Sequence, residues 1–302
     1  MSQDSQTLEA DGISATIVAQ GAELVSLRNT EGFEFLWQAG PAWRRHSPVL
    51  FPIVGRLKGD QLRHRGRVYP LTQHGFARDR RFDWAERGPR SCTLVLADDA
   101  DSRARYPFAF RLDVTYTLER QQLGVTFDIT NTGDEPLPAS IGAHPAFNWP
   151  LLPDLAKEAY RLDFANAEPA PIRRLKDGLL LATAQPTPVE GKVLALSDRL
   201  FDEDAVIMDR PASSSVRYAA DQGPAIEVSW KGFRELGIWS KPGAELSDSS
   251  GMSAVRCPIG GHPLQVQHSP KLARSAWRVP PRPAIASDRY RRSNADCPSP
   301  FA

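Results

Sequence analysis

The chain has 302 residues, a formal net charge of +1, 41% hydrophobic and 24% charged residues. That length admits one large domain or two ordinary ones, because all-β units of roughly 200–250 residues are common. The near-neutral charge points away from a nucleic-acid or membrane partner, and no run approaches the ~18 apolar residues of a membrane span.

The opening "MSQDSQTLEADG" is polar and acidic and has neither the basic nor the apolar segment of a secretory signal. Cys92, Cys257 and Cys297 are an odd number, far apart and without metal-ligand spacing. Together these features lead us to expect a cytoplasmic protein that uses no metal. The dominant period along the chain is two. "ISATIVAQGAELVSL" predicts two short strands around Gly21, and "FEFLWQ" predicts another. "CTLVLADD" alternates around Cys92, which reads as a buried strand position. A hairpin is expected with strands at Arg111–Leu118 and Leu123–Thr130 and a polar turn at Glu119–Gln122. "LPDLAKEAY" is the best candidate for a short helix, and "AVIMD", "SSVRYAA", "AIEVSW" and "LGIWS" read as later strands. About a dozen short strands imply a large, mostly antiparallel all-β sandwich.

The composition changes near Ala244. From Glu245 to Ala302 there are eight prolines and seven arginines, and apolar residues follow neither period. We therefore divide the chain into a β-sandwich over 1–244 and an atypical Pro/Arg/Ser-rich tail over 245–302, expected to be disordered.

Three polar clusters interrupt apolar settings. In "SPVLFPIVGRLKGD", Arg56 follows Gly55; glycine permits close backbone approach and arginine offers a fixed fork of donors. In "LTQHGFARDRRFDW", His74 precedes a glycine and an aromatic, with Arg78 and Asp79 just beyond. In "IGAHPAFNWP", His144 stands in an apolar strand before Pro145, which removes a ladder donor and suits a strand that ends or bulges to aim a side chain. Each residue taken alone also reads as structural. No phosphate-binding glycine loop, zinc spacing or nucleophile elbow is present. The inventory of histidines, arginines and carboxylates suits cofactor-free proton transfer on a polar, uncharged or phosphorylated substrate.

Five segments in order, "FPIVGRLKGDQL", "PLTQHGFARDRRFDW", "IGAHPAFNWPL", "LFDEDAVIM" and "GFRELGIWSKPGA", resemble the aldose 1-epimerase (galactose mutarotase-like) family, especially its LacX-like branch. The resemblance runs from about Ala10 to Ala244. It implies a galactose mutarotase-like β-supersandwich that binds a hexose or hexose phosphate in an open cleft and interconverts anomers without cofactor or metal. By position, His144 matches the general acid and His74 the substrate-positioning histidine. Arg56 matches the arginine that binds sugar hydroxyls. Asp204, with Asp202 as the fallback, matches the substrate-binding aspartate. Arg56, Lys58 and Arg78 stand where a phosphate can be held. The family's base glutamate, in a Glu-Pro-Trp-like strand, has no counterpart after Ala244, where Glu245 is the only glutamate. The general base is therefore unassigned. The C-terminal strands are expected to be missing or replaced, leaving a sheet edge unpaired. A change of reading frame just after Ala244 accounts for the break, and resequencing the locus tests that account. Three readings follow from the resemblance: a mutarotase, a hexose-6-phosphate 1-epimerase, or a non-catalytic sugar-binding homologue.

Overall fold

The computed structural model describes residues 4–241 together with the strands Ser250–Ala254, Leu264–Val266 and Ala273–Arg278. It is built on two large antiparallel sheets. The larger has nine strands, in spatial order Val193–Ala195, Arg161–Phe164, Ser215–Ala219, Ile226–Lys231, Ala273–Arg278, Gln122–Asn131, Phe110–Glu119, Ser91–Ala97 and Asp83–Arg87. The smaller has six, in order Ala146–Trp149, Ser250–Ala254, Leu236–Trp239, Val206–Met208, Ile172–Lys176 and Leu179–Gln185.

The long hairpin follows from its sequence. Phe110–Glu119 pairs with Gln122–Asn131 without a register break. Leu112, Val114, Tyr116 and Leu118 are buried from one strand, and Leu123, Val125, Phe127 and Ile129 from the other. Period-two alternation places all of them on one face. Cys92 is buried in the neighbouring strand, and burial pushes its thiol up to about 12. The two strands read around Gly21 are Ile13–Val18 and Glu23–Asn29, and with Ser5–Ala10 they form a separate three-stranded sheet.

The structure corrects three expectations. "FEFLWQ" is not a strand; single bridges at Glu34 and Leu36 hold it. The Glu34 carboxylate accepts from the backbone N–H of Leu27 and Leu36, replacing ladder bonds that a strand would make. "LPDLAKEAY" forms only a 3-10 turn at Lys157–Ala159. The α-helix among the described residues is Ala100–Arg105, where none was expected; an Asp99–Ser102 capping box starts it. Third, the tail supplies strands. Ala273–Arg278 lies between Gln122–Asn131 and Ile226–Lys231 and pairs with both, so the edge expected to stand open is filled. Ser250–Ala254 likewise lies between Ala146–Trp149 and Leu236–Trp239. The physical reason is that two facing strand edges leave rows of backbone donors and acceptors that a further strand satisfies, whatever its composition. The expectation of disorder for the rest of 245–302 lies outside the described residues.

Candidate active site

Between the smaller sheet and the loops that face it lies a cleft of about 440 Å³. His74, Arg78, His144, Asp202 and Asp204 all line it, beside Trp43, Gln73, Leu175, Phe201 and Trp239. Segments up to 196 residues apart in sequence, from Trp43 to Trp239, thus meet in one place.

His144 and Pro145 stand between the short strands Gly142–Ala143 and Ala146–Trp149, as the proline suggests. Gly142–Ala143 pairs with Val49–Leu50, and the His144 N–H donates to the Pro48 carbonyl at 3.2 Å. The ring, 7% exposed, is therefore aimed from a strand interruption with its backbone tied on both sides. It meets His74 edge-on, with centroids 5.9 Å apart and planes at 77°.

His74 adopts a left-handed conformation, φ 68°, and Gly75 after it has φ 67°. A Cβ on Gly75 would lie 2.3 Å from the Phe51 carbonyl oxygen, so only glycine lets this turn close on Phe51–Pro52. The His74 Nδ1 accepts from the Gly55 N–H at 3.0 Å. That bond fixes the neutral imidazole with its proton on Nε2, a hydrogen-bond donor.

Arg78 belongs to the 3-10 turn Ala77–Asp79. Gly21 packs so closely under it that a Cβ there would sit 2.8 Å from the Arg78 carbonyl oxygen. Nη2 donates to the Gln73 carbonyl at 2.8 Å, and Nε has no hydrogen-bond partner among the described residues. Burial, and then the nearby Arg45 charge, lower the Arg78 pKa from the usual arginine range. Asp202 and Asp204 follow the 3-10 turn Asp198–Phe201, whose Phe201 packs edge-on against Trp149 at 6.0 Å. Arg174 ties this loop down by donating to the carbonyls of Leu200 and Asp204 at 2.9 and 3.0 Å. Asp204 has φ 67°, and its carboxylate accepts from the Ala205 N–H at 2.7 Å. Both competing aspartates thus reach the cleft.

Arg56 and Lys58 do not line the cleft. The Arg56 guanidinium forks onto Asp60 at 2.8 and 2.6 Å and donates to the Asp177 carbonyl at 3.3 Å. This bidentate pair holds it against the hairpin turn at Asp177–Gly178, beside the cleft rather than in it. Trp43, Gln73 and Trp239 line the cleft without having been expected there. Gln73 adjoins His74 in "LTQHGFARDRRFDW", and Trp239 is the partly exposed residue of the buried strand "LGIW". Trp43 sits in "GPAWRRH", where no periodicity marks it. Among the described residues no glutamate lines the cleft and no cluster suited to a metal ion exists. The arrangement offers donors and acceptors for a polyhydroxy ligand and two imidazoles for proton transfer.

The family model described as aldose 1-epimerase matches residues 4–264, which carries the likeness past Ala244. The plasmid-borne Protein LacX of Lactococcus lactis is 35% identical over 248 residues, covering 77% of this chain and 83% of that one. A galactose mutarotase related enzyme from Lactobacillus acidophilus superposes with TM-score 0.80 at 30% identity, over 92% of this chain and 98% of that one. A galactose mutarotase-like protein from Lactobacillus casei does so with TM-score 0.77 at 27% identity, over 91% and 99%.

Proposed function

Because the chain belongs to the aldose 1-epimerase family, we propose that it interconverts the α and β anomers of a hexose by acid–base ring opening in the cleft of His74 and His144. The observation that carries this reading is the meeting of two imidazoles 5.9 Å apart in one cleft with Asp202, Asp204 and Arg78. His144, as imidazolium, gives a proton to the ring oxygen while a base removes the proton of the C1 hydroxyl. The bond between C1 and the ring oxygen breaks, its electron pair stays on that oxygen, and C1 becomes an aldehyde carbon. Rotation about C1–C2 and the reverse proton transfers close the other anomer. Histidine suits the role because it exchanges a proton near neutral pH. In this reading the Nε2–H of His74 donates to a sugar oxygen, the aspartates accept from hydroxyls, and Arg78 donates to a further oxygen. Holding the sugar between these groups converts proton transfer into an intramolecular step. The base is unassigned, and the described carboxylates at the cleft are those of Asp202 and Asp204.

Polarimetry on freshly dissolved α-glucose and α-galactose tests the reading. The expected result is anomerisation faster than the spontaneous rate. Sugar binding without acceleration would favour a non-catalytic sugar-binding protein instead. A second reading, a hexose 6-phosphate substrate, is favoured by the half-buried Arg78, whose carbonyl accepts from Arg45, and weakened by the place of Arg56 and Lys58 outside the cleft. Binding of glucose and of glucose 6-phosphate at two salt concentrations separates the two, since a charge-held phosphate weakens with salt.

A further inference from the structure

Trp43 lies flat against the group read above as the acid. Its indole stacks on the His144 imidazole with centroids 5.1 Å apart and planes at 29°, and it also lines the cleft. It comes from residues 38–46, which have no strand or helix, yet several contacts hold that segment in place. The Trp37 Nε1 donates to the Trp43 carbonyl at 2.6 Å. Lys241 donates to the Ala42 carbonyl at 3.2 Å, and Arg45 pairs with Asp79 at 2.7 Å. At Gly40 a Cβ would lie 2.8 Å from the Trp37 ring, so the loop closes tightly on that indole.

We propose that Trp43 is a positioning residue for His144: its π face fixes the imidazole plane and stabilises the imidazolium, keeping the acid charged nearer neutral pH. The proposal rests on the reading of His144 as the acid. Its physical basis is the negative face of the indole quadrupole, which attracts a cation within about 6 Å. Burial opposes it, because a ring 7% exposed loses hydration when charged. The described ionisable groups that share the cleft with His144 are His74, Arg78, Asp202 and Asp204. The two carboxylates favour the imidazolium and the arginine disfavours it, while His74 is held neutral by its bond from Gly55. Trp43 adds a favourable contact that involves no further charge and does not wet the site.

The test is the titration of His144 in the full chain, followed by NMR of its ring nitrogens and assigned by the signal lost in His144→Gln. Trp43→Leu keeps bulk and dryness but removes the quadrupole; Trp43→Phe retains a weaker one. The expected result is a His144 pKa lower by about 0.5–1 unit in Trp43→Leu, with Trp43→Phe between it and the parent. The alkaline limb of the anomerisation rate against pH should move down by the same amount, since that limb reports the acid. An unchanged titration in Trp43→Leu overturns the proposal. A titration that moves while even the parent fails to anomerise sugars upholds the action of Trp43 on His144 and rejects the catalytic reading. A second measurement needs no altered loop. In the parent, protonation of His144 should quench part of the indole fluorescence in a step absent from His144→Gln, and absence of that step in the parent overturns the proposal.

Discussion

The two large sheets use the same antiparallel pairing for different ends. In the nine-stranded sheet the central hairpin runs ten residues a side with unbroken register and buries a side chain at every second position. The six-stranded sheet is made of strands of three to seven residues. It carries a register shift between Arg173 and Leu175, and Leu175 and Trp239 from it line the cleft. Regular alternation gives a surface that packs well but points every side chain where the pleat dictates. Interruptions re-aim side chains, which is why bulges gather near active sites. His144 between two short strands, and His74 and Asp204 at positive φ, are cases of the same device.

The sharpest way to break the larger sheet is to end the chain at Ala244. That removes Ala273–Arg278, through which Gln122–Asn131 and Ile226–Lys231 pair. We expect loss of cooperative thermal unfolding by circular dichroism; a truncated chain that melts as sharply as the parent would show that the strand adds nothing to the sheet. In the cleft, His144→Gln should lower the anomerisation rate by about 10²–10⁴, the usual worth of an acid–base group, while the thermal transition remains. A variant that turns over sugar like the parent would remove His144 from the mechanism.

The smallest expected effect concerns Glu235, at the entry to the strand Leu236–Trp239. It is 9% exposed, and its Oε2 has no hydrogen-bond partner among the described residues. Burial, with the Asp209 carboxylate adding to it and Arg173 opposing, pushes Glu235 up to about 7. The unfolded chain ionises at the ordinary glutamate value, well below the folded one. Native stability therefore falls as pH climbs from that value to about 7 and levels off above it. Glu235→Gln should remove this fall, gaining on the parent by on the order of 2–3 kcal/mol between pH 4 and pH 8. Urea unfolding at the two pH values measures it, and parallel behaviour of parent and variant would contradict the raised value.

The same contrast explains what was legible in the sequence. The hairpin Phe110–Asn131 could be read almost to the residue because period two is a local signal repeated over twenty positions. His144 stood out as a polar residue in an apolar run before a proline, and His74 because a glycine and an aromatic follow it. Arg56 stood out as an arginine after a glycine and an apolar run, yet it lies beside the cleft and pairs with Asp60 four residues on, a contact that no spacing rule foretold. Trp43 was invisible because its meaning lies in a ring some hundred residues away, brought near by the pairing of Val49–Leu50 with Gly142–Ala143. In the tail, backbone pairing needs no apolar period, so a composition reading missed strands that facing edges accommodate.

The insertion of Ala273–Arg278 also sets an order of events during synthesis. Its partners in Gln122–Asn131 lie about 150 residues earlier in the chain. Contacts of such separation slow folding, because loop closure comes before the reward of pairing. Until the ribosome has released Ala273–Arg278, the edges of Gln122–Asn131 and Ile226–Lys231 are templates for any passing strand, including one from another nascent copy. For this chain the risk of misassembly is concentrated in the interval before the ninth strand arrives.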